Sequence, residues 1–422
     1  MINEQSLAAV DGSTFSKCFR KPLYDSYCFS NIPGTIEKIL VGSSELGQLP
    51  ASVVDTKQYD KVILFFVDAF GWRFFEKYKD KYPTLDRFVK DGTVSKLTSQ
   101  FPSTTAAHVT TIHTTKRVGE SGVFEWFYYE PKLDTMIAPL LFSYAGDGER
   151  NTLEQVIEPA ELFPHDSIYK RLHSHGINTY LFQSKNFTPS PFGNVVTNGV
   201  QHVNAFTDLE SALTDLRIAV QDETGKAYFY FYYGNIDAAG HKFGPSSAEF
   251  ENEVDRFFSA LENLFIQAIE GKSGNTLLLM TADHGQTEID PKTTMYLNQE
   301  LPEIIEWTKR NNNGELLVVG GSCRDMFLYI KDECLEMALT KIRNHLTDKA
   351  EVYLVKDLLD QGFFGTNPSD VLRSRLGNIC ILPYKHDSVF WWEEGRFEQN
   401  FYGHHGGLTP EEMDTILLAL PL

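Results

Sequence analysis

Three runs of this chain are apolar at nearly every position rather than at every second one. They are KVILFFVD (61–68), AYFYFYYGNID (227–237) and NTLLLMTAD (275–283), and TYLFQS (179–184) has a related texture. A strand that is apolar on both sides needs both sides covered, which a mainly parallel sheet under two layers of helices provides. The intervening stretches supply the helices. YPTLDRFVKDG (82–92), AELFPHDSIYKRLHSHG (160–176) and SAEFENEVDRFFSALENLFIQAIEG (247–271) all space their apolar residues at helical intervals. Buried strands alternating with amphipathic helices predict an α/β fold, a mainly parallel sheet sandwiched between helices. The 422 residues, 42% hydrophobic and 23% charged, suffice for such a core and leave room for an insertion.

The texture changes after Asp283. Residues 291–400 hold a polar break, TKRNNNGE, then two strand-like runs, DMFLYI and EVYLV, around a helical ECLEMALTKIRNHL. The final FYGHHGGLTPEEMDTILLALPL reads as a return to the main sheet. The expected organisation is a core of residues 1–290 and 401–422 with an inserted α+β cap at 291–400.

Thirty-eight basic against 57 acidic residues give a net charge of −19, a field that repels nucleic-acid backbones and anionic membrane surfaces. No window reaches the roughly 20 apolar residues of a membrane span. The start, MINEQSLAAVDGSTFSKC, lacks a basic segment followed by an apolar run, so no secretory leader is expected. Five cysteines, odd in number and without a CxxC pair, fit a reducing compartment. The expected location is therefore the cytoplasm and the expected partner a small molecule, with the oligomeric state left open.

Each of the three most apolar runs carries an aspartate at or near its end, Asp68, Asp237 and Asp283. One such residue is ordinarily a turn former or helix cap. Three of them beside a dry core, at the strand ends where open α/β sheets bind ligands, call for cationic partners. Imidazoles stand nearby. Asp237 and His241 are four apart and share a helix face, Asp283 and His284 are adjacent in TADHGQ, and His405 lies in GHHGGL. Asp and His are ligands of Zn²⁺, with Mn²⁺ the second choice. In FPSTTAAHVTTIHTT (101–115), Pro102 and Ser103 look like a helix entry, with Thr104 or Thr105 in the first turn. A helix N-terminus suits a phosphate oxygen, but a threonine hydroxyl there needs a base or metal to become a nucleophile. His108 and His113 follow on the same segment, His108 reading as a helix-surface residue.

The order Asp68, Thr105, Asp237-x-x-x-His241, Asp283-His284-Gly285 and His405-Gly406-Gly407 resembles the alkaline phosphatase superfamily. Within it the chain is most similar to the type I phosphodiesterase/nucleotide pyrophosphatase family, over about residues 60–290 and 401–422. The resemblance implies that Asp68, Thr105, Asp283 and His284 hold one divalent ion and Asp237, His241 and His405 a second. It implies Thr105 as the nucleophile, because the family's reactive threonine stands three residues after the proline, here Pro102. Counting back from the family's downstream His-Gly, here Ser121-Gly122, also lands on Thr105. His404 adjoins His405 and is the alternative ligand; the following Gly-Gly favours His405. Two divalent ions about 4 Å apart outweigh the three aspartates, clamp an in-line displacement and imply a covalent phospho-threonine.

The sequence departs from that pattern at two positions. Nucleotide-cleaving members carry an aromatic after the nucleophile, where Ala106 stands, and a phosphate-binding Asn where Trp126 stands. FEWFYYEP (124–131) offers replacement stacking surface, though such a cluster is more often core packing. Asn235 and Arg324 are further candidates for contact with a phosphate or carboxylate. The expected activity is two-metal hydrolysis of phosphodiester or nucleotide pyrophosphate bonds. The alternatives are a phosphomonoester, phosphonate or sulfate ester at the same site, a phosphomutase, or a metal-binding relative without catalysis.

Overall fold

In the computed structural model, which describes all 422 residues, the four apolar runs become neighbouring strands of one seven-stranded sheet. The strands are β1 (Lys61–Val67), β2 (Thr93–Thr98), β3 (Asn178–Ser184), β4 (His202–Phe206), β5 (Ala227–Tyr233), β6 (Thr276–Thr281) and β7 (Asp414–Pro421), arranged β2-β7-β6-β1-β5-β3-β4. Only β7 runs against its neighbours, so the other six share one direction. The period-two geometry of a strand divides the apolar runs between two cores. Val62, Leu64, Phe66, Tyr228, Tyr230, Leu277 and Leu279 enter one, while Ile63, Phe65, Val67, Phe229, Phe231, Leu278 and Met280 enter the other.

Strands β2 and β4 lie at the two edges of the sheet and carry polar residues at several positions, which hides them from a search for apolar runs. The helix expected over 160–176 is broken into Pro159–Leu162 and Ile168–His173. Pro164 lies in the break, where it can neither donate a helical hydrogen bond nor clear the preceding turn. The helix expected over 247–271 runs from Ala248 to Ala260 and continues through a wider π turn, Leu261–Ile266, to Ile269.

Residues 291–400 contain a second, antiparallel sheet, Met326–Leu328, Ile379–Pro383 and Ala350–Leu354, with the helix Leu335–His345 between its strands in the chain. Its core of Ile330, Leu339, Ile342, Ile379 and Ile381 also takes in Met136 and Ala145. In return Phe363, Phe364 and Leu372 pack into the main core. No helix is long and apolar enough to cross a membrane.

Candidate active site

Because six strands run one way, their carboxyl ends gather along one edge of the sheet, and the chemistry-bearing residues gather with them. Asp68 follows β1 directly, and Asp283 lies two residues beyond β6. After β5 the chain turns into helix Asn235–Phe243, whose first turn holds Asp237 and whose next turn holds His241. β7, running the other way, starts at this same edge, so the loop before it delivers His405.

The seven residues of the expected ligand set come together in two groups. Asp68, Asp283 and His284 form one, with His284 Nε2 3.6 Å from Asp68 Oδ1 and 3.1 Å from Asp283 Oδ2. Asp237, His241 and His405 form the other, with the two imidazoles 3.4 Å and 3.7 Å from the carboxylate. The rings of His284 and His405 stack at 3.6 Å and join the groups. Thr105 Oγ1 points into the first, 3.2 Å from His284 Nε2 and 3.5 Å from Asp68 Oδ2.

The two threonines divide their roles. Thr104 is the N-cap of helix Thr105–Thr114, its hydroxyl accepting from Ala107 N and donating to Phe124 O. Thr105 is the first helical residue, which leaves its hydroxyl free for the cluster and places it among the unpaired N–H groups of the first turn. His405 and His404 also separate. His405 Nδ1 bonds Ser103 O at 2.9 Å and its Nε2 faces Asp237, whereas His404 Nδ1 bonds His405 O and its ring borders the cavity described below.

Burial, then the neighbouring Asp283 and Asp237 carboxylates, push the Asp68 carboxyl well above its usual range. Burial acts the same way on Asp283, but His284 and the N–H of Ala69 outweigh it and hold Asp283 down at about 2. The His405 and His404 imidazoles are driven well below their usual range by burial and by the imidazoles around them. Asp68 Oδ1 and Asp283 Oδ2 are buried without any hydrogen-bond partner. Two orphaned carboxylate oxygens, both facing His284 Nε2, fit a divalent cation, whose charge would satisfy both.

Sequence reasoning missed several supporting groups. The Tyr232 hydroxyl donates to Asp68 Oδ2, and Gln286 Nε2 donates to Asp237 Oδ1 at 2.5 Å. Tyr232 had a signal, the alternation of Tyr228, Tyr230 and Tyr232 on a strand otherwise too apolar for hydroxyls. His108 is fully buried rather than on a helix surface. It accepts from Gln100 N and bonds Thr104 O, bracing the strand-to-helix turn. His113 is also buried and bonds the Tyr169 hydroxyl.

Two cavities meet at Thr105, and both are also lined by Trp126 and Asp237. The larger, about 360 Å³, is walled by Phe127, Phe390, Phe397, Phe401 and His404. The smaller, about 230 Å³, is bordered by Arg150, Gln183, Phe187 and Tyr232. Trp126, 41% exposed, stands between them, while Phe124 and Tyr128 of the same aromatic segment are core residues. Glu125, 1% exposed, also lines the larger cavity; burial raises its carboxyl to about 7 although Trp126 N and Asp325 favour the charged form.

The expectation that Arg324 contacts substrate is not met. Its side chain is wholly buried in an ion pair with Glu412, and every donor is engaged by protein. Asn235 is likewise turned away. Its exposed amide approaches the Tyr233 hydroxyl at 3.5 Å, and neither cavity includes it.

The sequence profile of the type I phosphodiesterase/nucleotide pyrophosphatase family matches residues 62–407. The chain belongs to this family. Rat ectonucleotide pyrophosphatase/phosphodiesterase family member 7 is 24% identical over 382 residues, which cover 87% of this chain and 79% of that protein. A shorter likeness, 38% over 89 residues, links it to the alkaline phosphatase PhoV of Synechococcus elongatus, over 20% of this chain and 16% of that one. Among solved structures, an inactive form of murine ectonucleotide pyrophosphatase/phosphodiesterase 5 in complex with AMP superimposes with a TM-score of 0.64 at 15% identity, covering 85% of this chain and 87% of its own. The human counterpart gives 0.63 at 16%, with 85% and 87% covered. At these identities the structural likeness is one of fold. Membership places this α/β chain among the phosphodiesterase and nucleotide pyrophosphatase hydrolases.

Proposed function

We propose that this chain hydrolyses small phosphate diesters, nucleotide pyrophosphates among them, through a phosphorylated Thr105 and with two divalent ions. The observation that carries the proposal is the Thr105 hydroxyl at a helix N-terminus, directed into Asp68 and His284 with Asp237, His241 and His405 alongside. Asp68, Thr105, Asp283 and His284 would hold one ion and Asp237, His241 and His405 the other, Zn²⁺ in the first instance and Mn²⁺ in the second. The ions supply positive charge that acidifies a hydroxyl and stabilises a departing oxygen.

The chain's own residues supply the rest. Thr105 Oγ1 loses its proton to solvent and bonds phosphorus while the opposite ester bond breaks, releasing one arm as an alcohol that takes up a proton from solvent. A water molecule then adds to phosphorus, the Oγ1–P bond breaks, and one proton of that water returns to Oγ1, leaving the monoester of the other arm and the restored threonine. Helix N–H groups beside Thr105 receive the non-bridging oxygens. The Tyr232 hydroxyl and the Ala69 N–H fix the Asp68 and Asp283 carboxylates, so neither has to rotate during the reaction.

Two cavities on either side of Thr105 favour a diester, which has two arms, over a monoester, which has one. Within the proposal, residues 291–400 act as the cap that selects one arm, because Phe390, Phe397 and Gln399 wall the larger cavity. The relative solved with AMP supports a nucleotide as one arm. Five unpaired thiols, with Cys18 exposed, support the reducing cytoplasm as its location.

The test is the ratio of kcat/KM for bis-p-nitrophenyl phosphate over p-nitrophenyl phosphate, with Zn²⁺ and Mn²⁺ each supplied. A ratio well above one is expected. A ratio well below one overturns the diester assignment, and turnover that survives Thr105→Ala overturns the nucleophile.

A further inference from the structure

The Arg324 guanidinium has five N–H donors, and the protein uses every one. Nε and Nη2 donate to Glu412 Oε1 and Oε2 at 2.9 and 2.8 Å, Nη2 also to Pro383 O, and Nη1 to the carbonyls of Tyr384 and Asp387. Glu412 is equally saturated. Beyond the arginine, Oε1 accepts from Gly407 N at 3.1 Å and Oε2 from the Thr409 hydroxyl at 2.7 Å. Both side chains are completely buried. A buried ion pair is weak evidence for stability, since apolar residues of similar volume are often as stable. What an apolar pair cannot do is assign each lone pair to a named donor.

One of those donors sits beside the candidate metal site. Gly407 lies two residues after His405, so Glu412 Oε1 holds the loop that delivers this imidazole. The backbone carbonyl of the same Glu412 accepts from Gly285 N at 3.0 Å, which holds the loop that delivers Asp283 and His284. Neither glycine leaves room for a side chain. A Cβ on Gly407 would meet Glu412 Oε2 at 2.9 Å, and one on Gly285 would meet the Glu411 carbonyl at 2.2 Å. From the other side, the Ser103 hydroxyl donates to Gly407 O, its N–H to Gly406 O, and its carbonyl bonds His405 Nδ1. The His405 loop is thus clamped between the entry to the Thr105 helix and Glu412. Arg324, just ahead of the cap strand Met326–Leu328, anchors Glu412 in turn.

We infer that Arg324 and Glu412 are a positioning pair through which the cap sets the His405 loop, and hence the affinity of the ion held by Asp237, His241 and His405. The inference rests on the two-ion reading above. It makes the inserted segment part of the metal site's construction as well as a wall of the substrate cavity.

The test is a Zn²⁺ titration of the full chain by calorimetry, with the visible spectrum of the Co²⁺-loaded protein as a second readout. The variants are Arg324→Lys, Glu412→Gln, and Arg324→Met combined with Glu412→Leu. The double variant leaves no unpaired buried charge, so it keeps the question open to test where a single variant fails to fold. His405→Ala marks the response of the second ion. Groups that orient metal ligands typically change affinity about 10- to 100-fold. We expect a loss of that size for the ion His405→Ala affects, a changed Co²⁺ spectrum, and the other ion within about threefold. Wild-type binding of two ions that persists unchanged in the folded double variant overturns the positioning role alone. A wild-type chain that binds no ion overturns the two-ion reading and this inference together.

Discussion

Tyr232→Phe tests the metal site at a residue that only the structure exposed. The substitution removes one oxygen and keeps the ring contacts with Phe66 at 5.5 Å and Phe187 at 5.9 Å. What it loses is the hydroxyl donating to Asp68 Oδ2, inside a site where Asp68 Oδ1 has no donor at all. A hydrogen bond to a charged group contributes about 1.5–3 kcal/mol. At 1.4 kcal/mol per decade, that converts to roughly 10- to 150-fold in the dissociation constant of the ion at Asp68. The lower end is expected, because the bound cation itself compensates part of the lost donor. Competition against a chelator of known affinity measures the change, and a thermal unfolding curve shows that the fold is retained. Binding within twofold of wild type in a folded variant would refute the claim that Tyr232 prepares the carboxylate for a cation.

Thr104→Ala and Thr105→Ala separate cap from nucleophile. The first should cost about 0.5–2 kcal/mol of stability as a lost N-cap while retaining turnover, and the second should abolish turnover with both ions still bound; equal losses of kcat would show the roles are misassigned. Trp126→Ala should raise KM for diesters more than it lowers kcat, since Trp126 lines both cavities and belongs to neither ligand group; steady-state kinetics decides. Burial lowers His113 from 6.5 to about 3. The unfolded chain therefore takes up a proton near pH 6.5 that the folded chain refuses until about pH 3, so this contribution is full above 6.5 and lost as pH falls. Between pH 8 and 5 the loss is about 2 kcal/mol, and His113→Asn should remove that much of the pH dependence of stability. A slope unchanged by the substitution counts against the assignment.

The difference between the missed and the recognised elements is physical. Strands β1, β5 and β6 are central and covered on both sides, so their sequences are apolar throughout and legible. Strands β2 and β4 are edges, and β4 exposes most of its residues, so partners along one side rather than composition create them. Among site residues, those bearing carboxylates or imidazoles at strand ends were visible because such groups are costly there without partners. Arg324 misled for the same reason in reverse. An arginine near a cleft reads as a ligand contact until a glutamate 88 residues away is seen to occupy it.

By itself, then, the sequence determined the layered α/β architecture, the aspartates at the strand ends with imidazoles near them, and the helix entry that presents a threonine. These follow from local rules: burial patterns, caps and the cost of isolated charge. The family resemblance singled out Thr105 and His405 and the tertiary structure turns both toward the cluster, but the tertiary structure alone shows that Tyr232, Gln286 and Glu412 adjoin it. Each of those depends on where a side chain points across contacts tens to hundreds of residues apart. Local propensity carries no information about that direction; packing against a distant segment sets it.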